Sequence, residues 1–368
     1  MRFQTDRLKM MFIVFLISGV TFELSAEAPV VGKYSDLGSA LSEFAARNSG
    51  RANITADMGL NWSEAYIGEL ISFPPHYGFG GSVALNSFGA NFMNSFLVDN
   101  LGASEIKPLF AKKIFFPSYV AEMRIGGFRG VPFDIGLKAG FLPSVIPLPL
   151  FSDFKYDNFQ FGGDLRYNIA KSYYTGFMMS LGFGINYVSG FLELEGYNGV
   201  WSESGGAAGG TPSSTVLKSN GSKLRIKWDD VAFNAKLILQ KGFRTWGVTF
   251  FGGIVGGYGL SSSSLGLIGE GFSWNNTKVA DMTGTNMQEV QDKLNSIVGS
   301  ESQWMVSNSL GEFGLTGKVT ANAVDFHCYE GIAFDLDNDW HIQLALVMDF
   351  ISLEYGFVLG FRWQQKRL

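Results

Sequence analysis

The chain reads as all-β. It is expected to form an antiparallel transmembrane β-barrel of 10–14 strands, with 12 the central value, plus a short N-terminal helix or plug and one helical extracellular loop. Three observations predict this. Period-2 alternation of apolar and polar residues recurs from residue 77 to the C-terminal end. The composition is aromatic-rich (15%) and Gly-rich (47 residues), with only 17% charged residues, against about 25% in an average soluble domain. Short and long connections alternate along the chain, as they do when turns sort to one membrane face and loops to the other.

The N-terminal end carries Arg2, Arg7 and Lys9, then an apolar run from Met10 to Val20, then Ser25 and Ala26. This is the pattern of an export signal cleaved after Ala26 or Ala28. The run is shorter than the ~20 residues of a spanning helix. Residues 1–26 are therefore expected to be a signal peptide. Residues 27–76 form an N-terminal periplasmic or plug segment, and 77–368 the barrel. In the second segment, "YSDLGSALSEFAARN" has helical spacing, with Leu37, Leu41 and Phe44 on one face and Ser35 or Asp36 to cap it. "NITADMGLNW" alternates Ile54, Ala56, Met58, Leu60 and Trp62 with polar residues and Gly59. It is either an additional strand or part of a plug inside the lumen.

The strands follow in order. One face of each is apolar: Tyr77, Phe79, Val83, Leu85; Tyr119, Ala121, Met123, Ile125; Phe133, Ile135, Leu137, Phe141; Phe159, Phe161, Leu165, Tyr167; Phe177, Leu181, Phe183, Ile185, Tyr187. The series continues with Val231, Phe233, Ala235, Leu237, Leu239; Trp246, Val248, Phe250, Ile254, Tyr258; Val324, Phe326, Cys328, Ile332, Phe334; and Trp340, Ile342, Leu344, Leu346, Met348. It ends in "ISLEYGFVLGFRW", with Ile351, Leu353, Tyr355, Phe357, Leu359, Phe361 and Trp363 on one face and Glu354 and Arg362 on the other. Upstream of Val231, "LRIKW" places Leu224, Ile226 and Trp228 on the opposite phase, which predicts a bulge or a bend at Asp229–Asp230.

The gaps at 129–131, 170–174, 241–245 and 335–339 are tight. Those at 88–117, 143–157, 190–222 and 261–312 are long, and the gap near Asp349 to Ser352 is the exception. In the longest gap, "TNMQEVQDKLNSIV" carries a capping-box spacing at Thr285 and Gln288 and a stripe of Met287, Val290, Leu294 and Ile297. Residues 202–214 read as a small, polar surface loop.

If the apolar faces meet lipid, the polar faces meet the lumen. The lumen-lining candidates are then Glu122, Arg124, Asp134, Lys138, Asp164, Arg166, Lys236, Asp325, His327, His341, Glu354 and Arg362. Both signs are present. The charges either pair to hold a filled lumen together or line a polar passage. A hairpin around residue 130 sets Glu122 opposite Lys138. A hairpin centred near Asp337 sets His341 opposite Ala333. No nucleophile signature such as G-x-S-x-G occurs, and the chain holds three His and one Cys. No catalytic residue, metal ligand set or cofactor is assigned, and the protein is not expected to be an enzyme. The lone Cys328 excludes an internal disulfide, and the mild net charge of −5 argues against a nucleic-acid partner.

The alternating strands, the aromatic strand ends (Tyr77, Tyr119, Tyr187, Trp246, Trp340, Trp363) and the aromatic C-terminal strand resemble bacterial outer-membrane β-barrel, porin-like proteins. The resemblance implies an outer-membrane location, membrane lipids and the outer-membrane assembly machinery as partners, and passage of small solutes as the function. The alternatives are a plugged barrel for hydrophobic ligands such as fatty acids, motivated by the Phe-rich stretch "NSFGANFMNSFLVDNLG", or a non-transporting surface barrel. Family members end on an aromatic residue. Here "QQKRL" follows Trp363.

Overall fold

The structure, a computed structural model, describes residues 30–32, 41–49, 54–55, 62, 65, 67, 76–89, 113–128, 131–142, 154–172, 174–205, 213–268, 273–275, 277–278, 281, 287–292, 303–309, 312–336 and 339–364. The expected signal peptide lies outside them. Ten strands form the barrel: β1 (His76–Gly89), β2 (Lys113–Phe128), β3 (Val131–Leu142), β4 (Phe154–Ser172), β5 (Phe177–Gly205), β6 (Ser213–Phe243), β7 (Val248–Ile268), β8 (Glu312–Asp335), β9 (Trp340–Asp349) and β10 (Tyr355–Gln364). Each pairs antiparallel with its neighbours in sequence, and β10 pairs with β1 from Gly356↔Asn86 to Gln364↔Gly78, which closes the sheet on itself. The strand count is therefore ten, not twelve. Of the stretch Ile54–Trp62, read as an additional strand or part of a plug, the described residues Ile54 and Thr55 are helical, and Ile54 and Trp62 are buried; 56–61 lie outside the described residues. Ile54 and Trp62 thus pack inside the barrel rather than against lipid.

The alternation along each strand separates two environments. Outward positions such as Phe79, Phe141, Phe161, Phe183, Ile185, Phe250, Ile254, Leu344 and Phe361 are exposed apolar side chains. Inward positions between them are buried, and many are polar. A closed sheet with its apolar face turned outward satisfies every backbone group in hydrocarbon, so lipid is the solvent this face requires. Aromatic residues gather at the end that carries the tight turns. Tyr77 lies 5.5 Å from Trp363, Trp340 stacks on Phe361 at 4.8 Å, and Phe243 stacks on Trp246 at 5.7 Å. Such a girdle marks one membrane–water interface.

The long connections hold more strand than expected: in the 261–312 gap β7 runs on to Ile268, and residues 303–309 pair with β8. Much of 190–222 is strand: β5 and β6 continue together far beyond the apolar band, to Gly205↔Ser213. No bulge occurs at Asp229–Asp230, where β6 keeps unbroken register with both neighbours. The phase change has another cause. Even-numbered residues of β6 from Leu224 to Gln240 face inward, and toward the outer end the inner face itself becomes apolar, with Leu224 and Ile226 buried. In the 261–312 gap, residues 287–292 are helical and Val290 is buried; Leu294 and Ile297 lie outside the described residues.

The closing hairpin is shorter than the pattern suggested. β10 begins at Tyr355, so Ile351 and Leu353 stand in the turn, exposed. The Asp349 carboxylate accepts the backbone N–H groups of Ile351 and Ser352, each at 2.6 Å. Leu353 adopts a left-handed backbone (φ 55°), a conformation that disfavours residues with a Cβ.

Candidate functional site in the barrel lumen

All 12 lumen-lining candidates are buried inward-facing residues, and the register brings eight of them into one group. Glu122 pairs with Lys138, as the hairpin around residue 130 requires. Arg124 bridges Asp134 and Asp164. Arg166 donates to both oxygens of Asp134, each at 2.8 Å, and Lys236 reaches Asp164 at 2.8 Å. Arg362 donates to Gln343 at 3.0 Å. Glycines make the space for this group. A Cβ on Gly136 would lie 2.4 Å from Arg124, and one on Gly162 would lie 2.0 Å from Asn186. The group contains five cations, Arg124, Lys138, Arg166, Lys236 and Arg362, against three carboxylates, Glu122, Asp134 and Asp164.

The other four stand apart. His327 contacts Asp325 at 2.5 Å, and Asp349 of the next strand is paired with His327. One ligand-type atom from each of these three lies within 4.8 Å of the others. The sequence reading passed over this cluster because its third member comes only from strand register. His341 contacts Asp335 at 2.8 Å near the tight-turn end. It pairs with Asp335, not Ala333, because the hairpin register is centred one residue later than expected, which moves the partner by two. Glu354 accepts from the Ser87 hydroxyl at 2.9 Å.

Another part of the lumen wall is apolar. Ala84, Met178, Ile238, Phe251, Val255, Tyr329, Ala333, Ala345, Val347 and Val358 share one buried cluster with Ile54 and Ala65. The described N-terminal residues 54, 62, 65 and 67 thus meet both this apolar part and the charged group. Its Ala65 and Ile67 N–H groups donate to Gln240 at 2.7 Å and to Asp134 at 3.0 Å. The Trp62 ring sits 5.0 Å from the Arg362 guanidinium and 5.9 Å from that of Arg124. This places the aromatic π-face within cation–π reach of two guanidiniums. Gly78 fits against it, since a Cβ there would lie 2.7 Å from the ring. Toward the outer end, the helix at 41–49 packs Phe44 against Trp228 and donates from Asn48 to Asp230 at 2.7 Å. Sequence reasoning missed Trp62, Gln240 and Asp230 as lumen partners. Trp62 alone carried a signal, as a Trp in a segment that could not be placed.

The arrangement excludes a wide aqueous bore at this level. Arg124 and Arg166 are 0% exposed and Arg362 is 1% exposed, whereas the charged lining of an open channel is wetted.

A closed antiparallel barrel with an apolar outer band, an aromatic girdle and polar inward positions defines an integral β-barrel of a bacterial outer membrane. No family model and no curated protein matches the chain in sequence. Solved structures similar to it include the Ralstonia pickettii toluene transporter TbuX (9% identity, 81% of this chain and 91% of that one, TM-score 0.27). The transport unit of the Escherichia coli autotransporter AIDA-I (8%, 91% and 99%, TM-score 0.29) and a Pseudomonas aeruginosa FadL homologue (9%, 92% and 99%, TM-score 0.24) are also similar.

Proposed function

We propose that this protein is a plugged outer-membrane channel for amphipathic hydrophobic molecules with an anionic head, fatty acids being the representative class. The observation that carries the reading is the division of the lumen into an apolar wall and a cation-rich wall with the N-terminal segment meeting both. A neutral sugar needs neither wall. A fatty acid matches both, its chain to the cluster around Val347 and Val358 and its carboxylate to the arginines.

The energetics favour the same path. Parting the plug from the charged wall would strip hydrogen bonds from Asp134 and the ring from Arg362 in a dry site. Parting Ile54 and Ala65 from the apolar wall costs only area, about 25 cal/mol per Å². A path opened along the apolar side suits a hydrophobic permeant. The TbuX and FadL-homologue structures, a toluene transporter and a FadL homologue by name, are compatible with this reading and add nothing to its weight.

The test is uptake of a labelled long-chain fatty acid and of a neutral sugar into proteoliposomes holding the purified protein. Fatty acid uptake without sugar uptake is expected. Rapid sugar swelling would make the protein an open pore. No uptake of either by folded protein would favour a structural or surface-interaction barrel.

A further inference from the structure

The outward face changes character where β4, β5 and β6 leave the apolar band. The row Phe161, Tyr187, Val231 and Leu260 is its last apolar row across four strands. Tyr187 directs its hydroxyl to Asp229 at 2.8 Å, as an interfacial Tyr does. Four residues further along each strand, Lys227 and Lys318 occupy one row through Ser264. Two residues beyond that, Lys155, Glu193 and Arg225 share the next row in the same direction, and Lys223 follows.

Three cations converge on Glu193. Arg225 donates to it at 2.8 Å, Lys155 lies at 3.5 Å and Lys223 at 3.6 Å. Among the described residues of this face, five cations, Lys155, Lys223, Arg225, Lys227 and Lys318, stand with three carboxylates: Glu193, Asp157 on the Lys227 row, and Asp229, which lies 3.7 Å from Lys227. The Glu193 carboxylate is 3% exposed, while the Lys155, Lys223 and Lys227 side chains are 49%, 45% and 54% exposed. Arg225 lies over the Phe191 ring at 5.4 Å, which ties the guanidinium to the edge of the apolar band. At ~3.4 Å per residue and a strand tilt near 40°, the Lys227 row stands roughly 10 Å beyond the Tyr187 row along the membrane normal. That is the depth of headgroups rather than acyl chains.

We propose that this outward basic face binds the phosphorylated headgroup of an outer-leaflet lipid whose acyl chains lie along Phe159, Phe161 and Phe183. Charge complementarity selects phosphate. Position selects a lipid over a free anion, because the cations stand in register directly above side chains that require hydrocarbon. The inference is independent of the plug.

The experiment uses the full protein in a neutral detergent, with bisphosphorylated lipid A and its dephosphorylated form as probes. Lipid A is expected to bind at least tenfold more tightly than the dephosphorylated form, with affinity falling as salt rises. The triple variant K223Q/R225Q/K227Q is expected to lose at least tenfold in lipid A affinity while keeping heat-modifiable gel migration. Equal binding of the two lipids would overturn the proposal, as would full binding by the folded variant. Inorganic phosphate binding as tightly as lipid A would make the face a free-anion site and overturn it too. If the triple variant does not fold, K155Q/K318Q together with the wild-type comparison of the two lipids decides.

Discussion

Trp62 holds the position on which the closed state turns. Its ring is buried and lies between Arg124, Arg362 and Gly78. Trp62→Ala should release the segment from the charged wall and raise single-channel conductance in planar bilayers. Gly78→Ala should act the same way from the other side, because its Cβ overlaps the ring. An unchanged, silent bilayer trace for both variants would remove Trp62 from any gating role. Lys236 tests the buried network. Lys236→Ala strands Asp164 between fewer cations, and breaking a buried pair of this kind costs about 3–5 kcal/mol. The loss is measurable as a lower unfolding temperature on heat-modifiability gels. Glu193 tests the outer face. Burial alone would raise its carboxyl, but the hydrogen bond and charge of Arg225, with Lys223 and Lys155, hold it below the usual carboxylate range. Its stabilising effect is therefore full above the ordinary Glu pKa of ~4.3 and is lost only as pH falls through the depressed value. NMR titration of the Glu193 carboxyl should give a midpoint below that of a model peptide, and a midpoint at or above it would contradict the cluster. The inward charges were legible residue by residue because each alternates with apolar neighbours. Apart from Glu122–Lys138 across a tight hairpin, their partners were not, since Asp134–Arg166 and His327–Asp349 are joined by strand register that the spacing left open.

The hairpin between β9 and β10 shows what an element owes to its turn. Asp349 holds two N–H groups, and Leu353 closes the turn with a backbone that suits Gly. Leu353→Gly should leave the fold intact and stabilise it by about 0.5–1 kcal/mol, since the Cβ penalty disappears while little packing is lost at an exposed site. Asp349→Ala should destabilise by about 1 kcal/mol or more through two orphaned donors. Urea unfolding in detergent micelles compares the two. The period-2 pattern located this hairpin but carried Ile351 and Leu353 into the strand, because apolar residues in a turn look like the start of the alternation. The same ambiguity produced the expected bulge in β6. A pattern reports which residues are apolar, and it cannot tell an inner apolar layer around Leu224 and Ile226 from a shift in phase.

At the scale of the whole molecule, the outer surface was readable and the interior was not. Lipid imposes one rule on every outward position, so ten segments carried the same signature. The interior is set by contacts between residues far apart in sequence, such as Asn48 with Asp230 and Ile67 with Asp134. The filled lumen predicts that wild-type protein conducts rarely in planar bilayers, and that deletion of residues 41–67 yields a folded, heat-modifiable barrel with sustained conductance. A deletion variant that folds yet stays closed would place the barrier in the charged network itself.

The seam between β1 and β10 carries one last implication, which concerns the order of events during biogenesis. Trp62 touches both sides of it, Gly78 on the first strand and Arg362 on the last. Once the nine residue pairs of the seam have zipped, the indole could reach their inner face only through an end of the closed cylinder. We expect the N-terminal segment, which is made first, to be in place before the two end strands meet. The segment then acts as a template around which the cylinder is wrapped, and barrels refolded without it should close faster and with a less cooperative transition.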